Sequence, residues 1–117
     1  MKLAAVRRYA LSLPETTEEP HFHYASFRVR GKIFATAPPD GLHVHLFVGE
    51  HQREPALALH PEFVEKLMWG GKVVGVRVSL ACADPATVRQ LLGKAWENKA
   101  PKGLQTRAGM AASTKSG

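Results

Sequence analysis

The chain has 117 residues, a formal charge of +6, 44% apolar residues and 22% charged ones. That length suits one modest core, and no apolar run approaches the ~20 residues needed to cross a bilayer. The single cysteine, Cys82, excludes an internal disulfide and makes a reducing cytoplasm the expected setting. Arg7 and Arg8 interrupt what would be the apolar centre of a signal peptide. The basic excess is mild: residues 105–117 carry Arg107 and Lys115 without an acid, and the remaining +4 is spread over residues 1–104.

Lys2 to Leu13 reads as a helix, because Leu3, Val6, Ala10 and Leu13 recur on one face. Pro14 stops it, and residues 14–20, PETTEEP, read as an acidic solvated connector. Ser26 to Thr36, SFRVRGKIFAT, is a strong hairpin signal: two β runs around a glycine. A two-residue turn at Gly31-Lys32 pairs Arg30 with Ile33 and Val29 with Phe34. Phe27, Val29 and Phe34 then face inward, and Arg28 and Arg30 outward. Pro38-Pro39-Asp40-Gly41 turns the chain into a third strand, Leu42 to Val48. Leu42, Val44, Leu46 and Val48 share one side of it, and His43, His45 and Phe47 the other.

Glu50 to Leu59 suggests a short helix with Pro55 in its first turn. His60-Pro61 then suggests a second, with Phe63, Val64, Leu67 and Met68 as its apolar surface and Gly70-Gly71 as its stop. Val73 to Leu80 is the last strand, with Val74, Val76, Val78 and Leu80 on one side. Asp84-Pro85 opens a helix to about Asn98, whose buried face is Val88, Leu91, Leu92, Ala95 and Trp96. The predicted order is α-β-β-β-α-α-β-α. It implies an α+β fold: an antiparallel sheet of about four strands with helices packed on one face. Residues 1–104 form a single domain in this reading, and 105–117 a flexible C-terminal tail.

Candidate chemistry is sparse. His21/His23 and His43/His45 have spacings that can hold a metal, but no cysteine pair or HExxH accompanies them. Polar residues on a solvated sheet face explain them, and no metal or other cofactor is expected. Cys82, in ALAC, reads as a small core residue. No serine carries a nucleophile motif, no carboxylate pair stands out, and Gly70-Gly71-Lys72 lacks the earlier glycine of a phosphate loop. Trp69 and Trp96 read as core anchors. Arg28, Arg30 and Lys32 on the hairpin, with Arg77 on the last strand, form the one candidate nucleic-acid surface, since a basic hairpin can act as a wing that touches phosphates. The alternative is an ordinary solvated face.

SFRVRGKIFAT, PDG with its following β run, WGGK with VGVRVSL, and AW followed by APKGL together resemble the MmcQ/YjbR family, from about residue 4 to Leu104. The resemblance implies a small α+β protein with a frataxin/CyaY-like fold. It also implies a DNA-binding role by likeness to a double-wing module, and it brings no catalytic residues. The match lays the hairpin Arg28–Phe34 on a wing and Arg77 on a later strand. Iron binding, as in frataxin, is discounted because Lys2, Arg7 and Arg8 make the first helix basic. The expected function is a non-enzymatic cytoplasmic protein that binds DNA weakly and salt-sensitively, with no membrane partner. The alternative is a small-molecule or protein interaction module with no nucleic-acid role, its ligand held in a groove between sheet and helices near Trp69 or the histidine strand.

Overall fold

The structure is a computed structural model that describes residues 1–105. The tail expected at 105–117 therefore lies, Gln105 apart, outside the described residues. Helix α1 (Leu3–Ser12) forms where the apolar spacing places it, with Val6 and Ala10 fully buried. Helix α3 (Pro85–Lys99) opens as predicted: the Asp84 carboxylate accepts from the Thr87 amide and hydroxyl, and Pro85 fills the first turn. Its apolar stripe, Val88, Leu91, Leu92, Ala95 and Trp96, is buried. Trp96 lies in the core, and its indole N–H donates to the Pro14 carbonyl at 3.0 Å, tying α3 to the end of α1.

The sheet has six strands, not about four: β1 (Thr16–His21), β2 (Tyr24–Val29), β3 (Lys32–Ala37), β4 (His43–Leu46), β5 (Val64–Trp69) and β6 (Lys72–Ser79). They are antiparallel throughout, in the order β1-β2-β3-β4-β6-β5. The first added strand comes from the supposed acidic connector, which pairs along the whole of β2. The second comes from the supposed helix after His60. Helix α2 (Glu50–Leu59) has already ended there, and residues 64–69 pair with β6. Pro55 stands at the sixth position of α2, not in its first turn.

The central hairpin also turns one residue earlier than expected. Val29 faces Lys32 and Arg28 faces Ile33, so the turn is Arg30-Gly31. Both take positive φ, +48° and +82°, as a type I′ hairpin turn requires. A bulge between Phe27 and Arg28 restores the phase, so Phe27, Val29 and Phe34 are all fully buried, as predicted.

One side of the sheet meets the helices. Phe27, Ala35, Val44, Leu46, Val64, Val76 and Val78 join the faces of α1 and α3 in one core cluster, to which α2 adds Ala56. The bend of the chain after β4 leans on Gly75. A Cβ there would lie 2.1 Å from the Leu46 carbonyl oxygen, so only glycine fits.

Candidate functional site

Among the described residues, no helix packs across the other side of the sheet. Cross-strand register runs a single polar row over all six strands: Glu19, Ser26, Thr36, His45, Arg77 and Glu65. Residues directly opposite on neighbouring strands share a face, so this row marks the open side. Ser26 and Thr36 are buried within it. Ser26 donates to the Glu19 carbonyl at 2.7 Å and accepts from Arg28 Nε at 3.0 Å. Thr36 Oγ1 lies 3.4 Å from His45 Nδ1.

Two edge hairpins flank this row at opposite corners. At one, His21 faces Tyr24 across the turn Phe22-His23. Phe22 takes φ +58°, a backbone that bulky residues rarely adopt, and is 89% exposed. At the other, Trp69 faces Lys72 across Gly70-Gly71, whose φ values are +57° and +77°. Trp69 is 73% exposed and Met68 54%, so Trp69 is not the core anchor its sequence context suggests. Antiparallel pairs twist, and here the two corners rise over the same face. Between them lies a groove of about 720 Å³. Phe22, Tyr24, Met68 and Trp69 form its walls; Ile33, Thr36, His45, Phe47, Leu67 and Val74 its floor; Asn98 and Lys99, from the end of α3, one end. The Asn98 amide donates to the Phe47 carbonyl at 2.9 Å and holds that end in place.

His45 is the polar centre of the floor, tilted against Tyr24 with ring centroids 5.8 Å apart. Its pKa lies below the usual histidine value, first because burial disfavours the charged ring, and further because Arg77 and His43 are close. Asp40 and Glu65 oppose that shift without cancelling it. The Arg77 Nε beside it is buried without a hydrogen-bond partner among the described residues.

The four cations picked from sequence do not form one patch. Arg28 lies on the open face, its guanidinium turned to Ser26 and to the Pro20 carbonyl. Arg77 is three strands away on that face and meets Glu65 at 3.4 Å. Arg30 lies in the β2–β3 turn and Lys32 directly after it. Arg30 is gripped by both oxygens of Glu15, at 2.9 and 3.0 Å, which holds its pKa above the ordinary value. Glu18 likewise takes Arg7 at 2.8 Å. The acids of residues 14–20 thus neutralise cations as well as meeting solvent. Among the described residues, no group of three or more His, Cys, Asp or Glu is placed to hold a metal. Cys82 is exposed, not a core residue.

The paired hairpins, the glycine turns and α3 up to Asn98 lie in a stretch that a family model recognises: the YjbR model matches residues 11–98, about three quarters of the chain. The chain belongs to the YjbR family. This YjbR domain has no match among curated proteins or solved structures. Among its described residues, no helix is long and apolar enough to cross a membrane. Within the matched segment lie both hairpin tips and all of the groove except Lys99.

Proposed function

We propose that this YjbR protein is a non-enzymatic binding module whose site is the groove on the open sheet face, filled by a ligand with a flat apolar portion. One observation carries the reading: Phe22 and Trp69, 89% and 73% exposed, stand on opposite corners and line one groove. Large apolar side chains exposed together, around a concave surface with a few polar groups at its base, mark interaction sites. A volume of about 720 Å³ falls in the usual range for small-molecule sites. The absence of catalysis is part of the proposal. Within the groove the one hydroxyl–imidazole pair among the described residues is Thr36–His45 at 3.4 Å, and none of the described lining residues is a carboxylate that could orient the imidazole. The frataxin/CyaY likeness draws support from α1 and α3, which pack together against one side of an antiparallel sheet.

DNA binding is the second reading. Two protruding hairpins on a chain of charge +6 favour it. It is the weaker one, because Arg30 and Arg77 already face Glu15 and Glu65. Two measurements separate the readings. A low-salt gel shift with duplex DNA should show no retarded band if the groove reading holds. A thermal-shift screen of small planar molecules should raise the melting temperature of wild type but not of Trp69→Ala. Salt-sensitive DNA binding that Arg28→Ala/Arg30→Ala abolishes would reverse the order of the two.

A further inference from the structure

We propose that the groove takes a free planar aromatic anion, its rings between the Phe22/Tyr24 and Met68/Trp69 walls and its charged group at the Asn98–Lys99 end. This rests on the groove reading above and names the chemistry of its ligand.

The walls dictate the flat part. Phe22 and Tyr24 line the groove from one corner, and Trp69 and the polarisable Met68 from the other. Aromatic ligands gain offset or edge-on contacts with such side chains that an aliphatic chain does not. Below them, Thr36 and His45 offer a hydroxyl and an imidazole for a ring substituent.

The charge follows from what lines the groove. Among the described lining residues, Lys99 is the one Lys or Arg, the histidines are His21 and His45, and there is no Asp or Glu. A ligand cation would meet Lys99 with nothing to balance it. An anion finds a charge-assisted donor at a fixed end, held by the Asn98–Phe47 bond. The floor adds no carboxylate: its polar groups are Thr36 and His45, and the strand residue paired with His45 is Arg77.

The same charges exclude a polyanion. A nucleic-acid strand needs a track of cations to follow its phosphates. Here the track is broken: Arg77 is met by Glu65, Arg30 is held by Glu15, and Glu19 stands in the polar row beside β2. One anionic group needs only Lys99.

The test is an NMR titration of the full chain with three probes of one shape: naphthalene-sulfonate, its neutral sulfonamide and the naphthylmethyl-ammonium ion. The proposal expects one saturable site that shifts the Trp69 indole N–H, Thr36 and His45. The sulfonate should bind about tenfold tighter than the sulfonamide, as a charge-assisted contact does, and the ammonium should not bind. Lys99→Gln should bring the sulfonate down to the sulfonamide's affinity. Trp69→Ala and Phe22→Ala, both at exposed tips, should weaken both probes while leaving the melting temperature in place. Equal affinity for sulfonate and sulfonamide overturns the anion and leaves the groove reading standing. No shift at Trp69 or His45 with any probe overturns both. A thymidylate dodecamer that displaces the sulfonate and binds more tightly overturns the free ligand in favour of nucleic acid.

Discussion

Two hairpins of this sheet end in the same turn and are put to different uses. The β2–β3 hairpin closes over Arg30-Gly31 and the β5–β6 hairpin over Gly70-Gly71, and all four residues take positive φ. In the first, three large side chains, Phe27, Val29 and Phe34, lie in the core, and the tip is clamped by Glu15. In the second, β5 is an edge strand, only Val64 of it is buried, and Trp69 and Met68 stand in solvent. A central hairpin is fixed by what it buries. An edge hairpin has a free side, and an aromatic placed there is available to a ligand. The difference separates residues that hold the fold from residues that serve the groove.

The largest test strikes the first hairpin. Phe27→Ala removes a fully buried ring from the middle of the sheet and should cost about 3–5 kcal/mol in urea unfolding. Trp69→Ala should change stability by no more than about 0.5 kcal/mol, as for other exposed positions. A loss of several kcal/mol at Trp69 would make it a structural residue and end the contrast. Next comes Gly75→Ala. Its Cβ meets backbone, the Leu46 carbonyl, which cannot rotate away, so about 3 kcal/mol or more is expected. A melting temperature unchanged by that substitution would mean that the chain after β4 takes another path.

The two tips themselves should respond alike. Gly31→Ala and Gly71→Ala find open space for the new methyl, so their cost is conformational, about 1–2 kcal/mol each at φ +82° and +77°. Equal losses, with ligand binding disturbed only by Gly71→Ala, would sharpen the distinction between fold and site. Arg30→Ala is smaller. Its pair with Glu15 is half exposed, so only a small loss of stability is expected, and it should fade with added salt. A salt-independent loss would show that Arg30 acts through packing.

What the sequence disclosed follows the same division. The alternation of Phe27, Val29 and Phe34, the Asp84 cap and the stripe of α3 were all legible because burial repeats at the period of the element. The edge strands were not. Thr16–His21 reads TTEEPH and has no fully buried residue, so hydrophobic patterning gives no sign of it; backbone pairing with β2 holds it. Val64–Trp69 looked helical because its bulge between Leu67 and Met68 breaks the alternation and leaves apolar residues at 63, 64, 67 and 68. A groove near Trp69 or the histidine strand was expected between sheet and helices; its place on the open face was missed with those strands. Tryptophan looks the same whether it anchors a core or projects from a tip. The available signal was its position, directly before a two-glycine turn, where a short hairpin has nothing to fold over it. Arginine spacing named Arg28, Arg30, Lys32 and Arg77, but it could not show that Glu15 and Glu65 lie opposite two of them.

The smallest effect joins the two hairpins, since His45 sits in the polar row between them. Its pKa in the folded chain is below the ordinary 6.5, chiefly through burial, then through Arg77 and His43. Between the folded value and about 6.5, the unfolded chain therefore binds more protons than the folded one, and stability rises with pH. The contribution is fully present above about 6.5 and is lost as pH falls through the folded value. Wild type should lose stability against His45→Gln over that window and run parallel to it above. Comparing the two chains cancels the other histidines. Arg77→Met removes one cause of the depression, so the NMR titration of His45 should move upward in that variant and the stability gap should narrow. A gap that widens as pH rises would mean that the ring is held in its charged form. The floor of the groove would then carry a fixed positive charge between the two hairpins.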